Sequence, residues 1–399
     1  MINKKGHMYG VLNNIIVMSS PILVIPFVIS HIGVDNYGGF VQVNIIYACL
    51  VSIFSSSLSG YFIKRYTEGD LSLKSILLVQ ASLSFVSALV LLIYICVISN
   101  ELNSIFFVFA ILTNILNFEW YFYAVGAQKQ LCIRNFFVKI VFVIATILFL
   151  RSHPSVDTYF IAYGLNLICT NLLTAWFCFK SKKNIVVHDG KSEIHQILFD
   201  ARYFFLNPII GAVYQYGDQI LISFLFQKSS LVFVNLAKQI IGASVMISGT
   251  LCRVEQKNIF SLPPNKKIFR IKKIAQYFAV YLILSTVAII FCGPYILSFL
   301  IKDAALLHRW YYILIAGVFL FTSLSIFIDY VIGLTYRKEY FTTIANASCA
   351  VIVTLLNVNY LNEYGANFSL FTLLIGEILV FILLSVMHIN SMKKRAGYG

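Results

Sequence analysis

Long apolar runs recur along the whole chain, and this pattern constrains the fold more than any single motif does. Twelve runs stand between charged or turn residues, and each approaches the roughly 20 residues that a helix needs to cross a bilayer. They cover residues 9–30, 39–63, 76–98, 104–126, 134–150, 157–179, 203–226, 231–251, 275–300, 310–333, 340–360 and 367–389. The pattern predicts an all-α, polytopic membrane protein with about twelve transmembrane helices.

The composition agrees with this prediction. Hydrophobic residues make up 59% of the chain and charged residues only 12%, with a mean hydropathy of +0.84, whereas soluble domains average about 25% charged residues. Twelve helices with short connections use most of the 399 residues, so no sizeable soluble domain is expected. Lys4 and Lys5 precede the first run, but no small-residue cleavage site follows it. We therefore interpret this run as a retained helix rather than a signal peptide.

The distribution of lysine and arginine predicts the orientation. The connections alternate between cation-rich and cation-poor, and 25 of the 30 Lys and Arg residues fall on one side. By the positive-inside rule, that side and both termini are predicted to be cytoplasmic. The same bias accounts for nearly all of the +14 net charge. A nucleic-acid partner is therefore not expected, and the loops are too short for such a module.

A long cytoplasmic connection divides the predicted helices into six plus six. We expect an N-terminal half at 1–180, a linker at 181–202 and a C-terminal half at 203–399, arranged around a central cavity. Two repeats of this kind are typical of transporters. Pro21 and Pro26 interrupt the first helix and Pro208 the seventh. Interrupted helices at corresponding positions point weakly to a central site.

Four carboxylates and one cation stand out among the charged residues inside the predicted helices. On the insertion scale each costs at least about 2.5 to 3.5 kcal/mol at the bilayer centre, so each should face a cavity or a partner. They are the first candidates for a functional role. The five are Glu119, Asp218, Lys238, Asp329 and Glu377.

Each of these residues has a structural as well as a functional interpretation. Asp218 and Lys238 lie at similar depth on consecutive antiparallel helices, so they form either an internal ion pair or a site where Lys238 meets an anionic substrate. Glu377, near mid-membrane, either carries a coupling proton or stays protonated in packing. Asp329 lies near a helix end and can reach water. Tyr214, one turn before Asp218, is either a platform for sugar or a packing ring.

Catalytic and metal motifs do not emerge from the sequence. There is no P-loop, no GxSxG and no HExxH, and no extramembrane segment large enough to hold an active site. The eight Cys and seven His residues are dispersed without metal-ligand spacing. We therefore expect a protein that is not an enzyme and uses no cofactor or metal.

Four short stretches carry a likeness to a known family. They are Gly-Val-Asp-Asn-Tyr-Gly-Gly-Phe at 33–40, Phe-Glu-Trp at 118–120 with Lys129 and Arg134-Asn135 after it, residues 214–222 with Asp218, and Asn-Leu-Ala-Lys at 235–238. In these stretches and in its twelve-helix plan, the chain resembles the O-antigen flippase (Wzx) family of polysaccharide exporters. That family lies within the multidrug, oligosaccharidyl-lipid and polysaccharide exporter superfamily.

The resemblance implies a function in O-antigen and lipopolysaccharide biosynthesis. The expected activity is alternating-access transport of undecaprenyl-diphosphate-linked oligosaccharide from the cytoplasmic to the periplasmic leaflet of a bacterial inner membrane. Other polysaccharide assembly proteins are possible partners besides the bilayer. The expected substrate-binding or cavity residues are Arg134, Lys139, Lys238, Tyr214 and Trp120. The expected charge partners or ion-coupling residues are Glu119, Asp218, Asp329 and Glu377.

Three other functions stay open at this point. The nearest is an ion-coupled drug or small-molecule antiporter of the same superfamily. A membrane-embedded polysaccharide polymerase is disfavoured, because such enzymes usually carry a large periplasmic loop and the longest outer connection here is at about 301–309. The third is a scaffold for polysaccharide assembly, which would tolerate neutralisation of every intramembrane charge.

Overall fold

The computed structural model describes residues 4–68, 73–99, 102–180, 194–260, 264–301, 309–333 and 340–396. Within these ranges the chain is helical apart from short turns, and it contains no strand. The α-helices are α1 (Lys4–Ile32), α2 (Val34–Val51), α3 (Ser57–Glu68), α4 (Leu73–Tyr94), α5 (Ile105–Thr113), α6 (Glu119–Ala124), α7 (Gln128–Ser152), α8 (Val156–Lys180), α9 (Ile194–Leu225), α10 (Lys228–Phe260), α11 (Pro264–Leu300), α12 (Arg309–Phe327), α13 (Tyr340–Tyr364) and α14 (Phe368–Ala396).

These elements join into twelve long helical segments. A π-helical turn at Ser52–Ser56 links α2 to α3, and two further π turns, Ile95–Ser99 and Ile328–Gly333, extend α4 and α12. In the described part of the chain, eleven segments are long and apolar enough to cross a membrane. The remaining long helix, α9, corresponds to the predicted seventh helix. The prediction of an all-α, multi-pass membrane protein is confirmed.

Several helices extend beyond the bounds that hydropathy predicts. The described residues of the connection predicted at about 252–274 are helical, because α10 runs to Phe260 and α11 begins at Pro264. Residues 261–263 lie outside the described residues. Lys, Arg, Gln and Glu are good helix formers, so a charged stretch continues a helix where hydropathy ends. Proline at the first helical position is favoured as well. The outer connection predicted at 301–309 falls mostly outside the described residues.

The predicted fourth helix, 104–126, is interrupted. After α5 the chain forms a 3₁₀ turn at Asn114–Leu116, and Asn117 adopts an extended conformation (φ −80°, ψ 94°) before α6 begins. The Asn117 side chain accepts a hydrogen bond from the Glu119 backbone N–H at 3.1 Å, and the Asn117 carbonyl accepts one from Gln80 Nε2 at 3.1 Å. Asparagine offers the backbone this local alternative to a helix. These two bonds satisfy one backbone donor and one backbone acceptor at the break, where a membrane offers no water to replace them.

A glycine turn then reverses the chain between α6 and α7. Gly126 has φ +74°, a conformation that favours glycine. The Gly126 N–H donates to the Tyr123 carbonyl at 3.4 Å, and the Ala127 N–H donates to the Phe122 carbonyl at 2.8 Å. This pair of bonds is the Schellman motif that closes many helices. The turn brings the start of α7 beside α6.

The chain divides into two compact units, Met1–Tyr216 and Gly217–Gly399. In the first unit α1 packs along α7, α7 packs on α8, and α5 contacts both α4 and α8. Its centre holds a cluster of buried rings from α2, α5 and α8, which are Phe40, Phe107, Tyr159 and Phe160. In the second unit α12 contacts α10, α11 and α14, while α13 packs on α14. The predicted linker at 181–202 lies mostly outside the described residues, so the predicted boundaries stay predictions.

Candidate functional site

Arg134 is the centre of a buried polar cluster in the first unit. Its side chain is only 1% exposed, and its Nη2 lies 2.5 Å from Glu119 Oε1. Nε and Nη2 also donate to Asn135 Oδ1 at 3.2 and 2.6 Å, and Nη1 donates to Thr174 Oγ1. Four of the five N–H donors of the guanidinium are thus used. This satisfaction is what allows an arginine to be buried within a membrane span.

Asparagine and threonine side chains join this cluster to α1 and α8. Asn135 Nδ2 donates to Asn13 Oδ1 of α1 at 2.6 Å, and both residues are buried. On α8, Thr174 donates to the Thr170 carbonyl at 2.6 Å while its hydroxyl oxygen accepts the bond from Arg134. The guanidinium is therefore held by groups from α6, α7 and α8, with α1 supporting Asn135.

Lys139 is a second cation on the same helix. Its Nζ donates to Asn166 Oδ1 of α8 at 3.3 Å and lies 5.9 Å from the centre of the Phe142 ring. Among the described residues it forms no salt bridge, and two of its three ammonium donors have no hydrogen-bond acceptor there. Because α7 begins at Gln128 rather than at 134, Lys139 lies near the middle of this helix.

The cluster carries more positive than negative charge. Arg134 and Lys139 supply two cations, whereas Glu119 supplies one carboxylate, and its side chain is 39% exposed. The cations thus lie inside the protein while the balancing carboxylate lies at its edge. The arrangement can accept an anionic group at Lys139 without first breaking an ion pair.

Trp120, although next to Glu119, lies in a hydrophobic core and not in the polar cluster. Its ring is 4% exposed and packs against Phe62, Tyr66 and Phe118. No acceptor for its buried Nε1–H is present in the described part of the chain. The geometry makes Trp120 a packing residue of α6, and its expected contact with substrate stays a prediction.

In the second unit, Asp218 of α9 and Lys238 of α10 form an ion pair. Lys238 Nζ lies 2.5 Å from Asp218 Oδ1, and the two side chains are 11% and 4% exposed for Lys238 and Asp218 respectively. Asp218 Oδ1 also accepts the Gln219 backbone N–H at 2.8 Å, whereas buried Oδ2 has no hydrogen-bond donor among the described residues. Here the two charges balance each other.

A row of three hydrogen-bonded side-chain amides lies beside this ion pair. Asn235 Nδ2 donates to Gln219 Oε1 at 2.9 Å, and Gln239 Nε2 donates to Asn235 Oδ1 at 2.8 Å. The first bond joins α10 to α9 beside the ion pair, and the second lies within α10 and supports Asn235. Tyr214 is half-buried on α9, one turn before Asp218.

The two remaining carboxylates lie elsewhere in the second unit. Asp329 is half-buried in the π turn after α12, and its Oδ1 accepts a hydrogen bond from the Thr342 hydroxyl of α13. A Cβ placed on Gly333 would lie 3.4 Å from both Asp329 Oδ1 and His388 Nε2, so Asp329 and buried His388 of α14 face the same small space. Glu377 is buried in α14.

The structure therefore groups the predicted residues into separate places. It brings together Glu119, Arg134 and Lys139, and it pairs Asp218 with Lys238. Asp329 lies in the π turn after α12, and Glu377 lies on α14. A search for charged residues could not find the uncharged side chains that join the first group, Asn13, Asn166 and Thr174, or His388 beside Asp329. Their only signal was a polar side chain within an apolar run, which is common in membrane helices and therefore weak.

Comparison with known proteins gives a fold but no family. No protein-family model and no curated protein matches the sequence. Among solved structures, the chain is similar to the lipid II flippase MurJ in an inward closed conformation, with a TM-score of 0.69, 14% identity, and coverage of 95% of this chain and 86% of that one.

Multidrug transporters give a similar result. An inward-facing MATE family transporter of the MOP superfamily matches with a TM-score of 0.62 and 12% identity over 98% of this chain and 96% of that one. The eukaryotic MATE transporter AtDTX14 matches with a TM-score of 0.60 and 14% identity over 96% and 95%. The chain shares the fold of these solved structures. At such low identity the likeness extends to the fold alone.

Proposed function

We propose that this protein is a lipid-linked oligosaccharide flippase of a bacterial inner membrane. The observation that carries the proposal is the excess positive charge of the buried cluster around Arg134 and Lys139 in the first unit. The proposed substrate is an undecaprenyl-diphosphate-linked oligosaccharide such as an O-antigen unit, moved from the cytoplasmic to the periplasmic leaflet by alternating access. The MOP fold is compatible with this activity.

The chemistry of such a substrate fits the cluster. For a glycan and a diphosphate, each polar group left unsatisfied in hydrocarbon costs on the order of 2 to 7 kcal/mol. Lys139 has ammonium donors that its neighbours do not use, and lysine binds phosphate as a point charge. Arg134, by contrast, is held by its neighbours, so its role is to keep positive potential in place beside Lys139. We assign contact with the diphosphate to Lys139.

The other predicted residues take supporting roles in this proposal. Glu119 pairs with Arg134 and, with its side chain 39% exposed, remains a candidate for ion coupling. Asp218 and Lys238 hold α9 to α10, although Lys238 remains a candidate for contact with substrate in another conformation. Tyr214 remains a candidate platform for sugar. Asp329 and Glu377 remain candidate sites for the coupling proton. The proposed orientation has both termini in the cytoplasm, as the positive-inside rule predicts.

Reconstitution tests the proposal directly. Purified protein in liposomes is given a fluorescent diphosphate-linked oligosaccharide on a long prenyl chain, with and without a pH gradient. We expect movement between leaflets that protein-free liposomes lack. In cells, deletion of the gene should cause lipid-linked oligosaccharide to accumulate on the cytoplasmic side. The proposal is wrong if the substrate does not move in liposomes and does not accumulate in cells.

The same liposomes distinguish the rival function. A small-molecule antiporter would move a cationic dye in exchange for protons and leave the lipid-linked sugar in place. The cation-rich cluster of the first unit argues against this, because a cationic dye would meet like charge at Lys139. Transport of dye without transport of lipid-linked sugar would establish the antiporter instead.

A further inference from the structure

An apolar groove lies on the surface of the first unit between α7 and α8. Its volume is about 540 Å³, within the roughly 300 to 1,000 Å³ range of small-molecule sites. Most of its lining is aliphatic or aromatic, and small side chains among the lining leave room for a ligand. These small residues are Ala145, Ala162 and Cys169.

The outer edge of the groove meets lipid. Phe137, Val141 and Phe149 of α7 and Leu165 of α8 line it, and these side chains are between 40% and 64% exposed. They belong to two helices of 25 residues that are apolar enough to span the membrane. A hydrocarbon chain can therefore enter the groove sideways from the bilayer without crossing water.

The inner wall of the groove belongs to the polar cluster. Arg134 and Asn166 both line it, and both are more than nine-tenths buried. Asn166 is also the hydrogen-bond acceptor of Lys139. The groove is thus continuous with the cation-rich cluster, so the apolar groove and the Lys139 ammonium lie side by side on the same two helices.

We infer that this groove holds the prenyl chain of the substrate next to its diphosphate, while the diphosphate contacts Lys139. The inference rests on the proposed function and adds where the lipid part of the substrate lies. A prenyl diphosphate matches both parts of the site, since its hydrocarbon begins directly at the diphosphate. An ordinary phospholipid can fill the same space, but glycerol separates its single phosphate from its hydrocarbon, so it matches the adjoining cations less well.

Photocrosslinking tests this assignment without relying on transport. The probe is a long-chain polyprenyl diphosphate with a diazirine in the prenyl unit nearest the diphosphate, and a phosphatidylglycerol with a diazirine in its acyl chain is the comparison. We expect the polyprenyl diphosphate probe to label peptides of α7 and α8 at the groove and the phosphatidylglycerol probe to label them much less. Excess polyprenyl diphosphate without the diazirine should remove the labelling.

Two matched pairs of variants locate the labelling. Cys169 in the groove and Cys292 on α11 are both exposed cysteines, so Cys292→Trp is the matched control for Cys169→Trp. We expect Cys169→Trp to lower groove labelling by about tenfold or more and Cys292→Trp to leave it unchanged. Ala145→Phe fills the groove, and Ala279→Phe, at an exposed position on α11, is its control. Because Cys169 is exposed, the tryptophan there covers the groove without entering the contact between α7 and α8.

The outcomes separate this inference from the proposed function. Equal groove labelling by both probes, or labelling that Cys169→Trp and Ala145→Phe leave unchanged, overturns the prenyl assignment. If the protein flips the lipid-linked sugar but the groove is never labelled, the inference fails and the proposed function stands. If the groove is labelled selectively but no lipid-linked sugar moves, the prenyl diphosphate site stands and the proposed function fails.

Discussion

The two units differ in how their buried cations are balanced by carboxylates. In the second unit one carboxylate, Asp218, balances one cation, Lys238, at 2.5 Å, and both are largely buried. In the first unit Arg134 pairs with Glu119, whose side chain is 39% exposed, whereas Lys139 forms no salt bridge with a described residue. Attraction within a balanced pair offsets part of its desolvation cost, whereas a buried cation without a carboxylate partner has no such compensation. Under the proposed function, the pair is structural and the cluster binds the ligand.

The largest effect is expected from reversing one charge of the pair. Asp218→Lys places two cations together inside the second unit, so it should cost more than the roughly 3 to 5 kcal/mol of removing one partner from a buried pair. Asp218→Lys combined with Lys238→Asp should restore most of the stability. The free energy of unfolding in mixed micelles measures both variants. Transport by the double variant decides the role, because restored activity excludes direct contact between Lys238 and substrate.

Replacing Arg134 by lysine tests the cluster at constant charge. Lysine cannot reproduce the fork that joins Glu119, Asn135 and Thr174. The loss of charge-assisted hydrogen bonds should destabilise the protein by about 1.5 to 3 kcal/mol. Unfolding in mixed micelles gives this value, and transport should fall with it. Unchanged stability would show that the fork contributes little to the fold.

Lys139→Gln is expected to separate stability from transport. Removing a cation that has no carboxylate partner among the described residues should leave stability unchanged or raise it by about 1 kcal/mol, because charge within a membrane span is costly. The KM for the lipid-linked sugar should rise about tenfold or more, as for the loss of one charged hydrogen bond to phosphate. Lys180→Gln, at the exposed end of α8, is the matched control. A parallel loss of stability and transport would contradict the assignment.

A small effect on stability is expected for Glu119→Gln. The carboxylate is partly exposed, so its pair with Arg134 should contribute at most about 1 kcal/mol, and the amide oxygen can still accept a hydrogen bond from the guanidinium. If Glu119 also carries a proton during transport, the dependence of transport on the pH gradient should be lost while stability is kept. Full, gradient-dependent transport would make Glu119 a structural partner of Arg134 only.

Much of the helical plan could be predicted from the sequence, since apolar runs report directly on membrane spans. The predicted helix at 157–179 is observed at Val156–Lys180, and that at 340–360 is observed at Tyr340–Tyr364. Hydropathy missed the break at Asn117, because averaging over a window spreads one polar residue among apolar neighbours. It also missed the helical ends rich in charge, since those residues are hydrophilic but still favour helix.

One part of the candidate site, the ion pair of Asp218 and Lys238, could be predicted from the depth of the two residues in the membrane. Asp218 and Lys238 lie on consecutive antiparallel helices, so their similar distance from the turn implies that they can meet. The contact between Glu119 and Arg134 could not be predicted from depth alone, because it depends on the break at Asn117 and the turn at Gly126. The bond between Asn13 and Asn135 joins residues 122 positions apart. Only the packing of α1 along α7 brings them together, and no local pattern reports that packing.

The short helix α6 fixes the length of the chain between Glu119 and Arg134. Each residue added to a helix rotates all later residues of that helix by about 100°. An insertion or deletion of one residue within Glu119–Ala124 would therefore turn the carboxylate away from the guanidinium, even with every side chain of the cluster unchanged. The segment from 119 to 134 consequently tolerates substitution far better than a change in length.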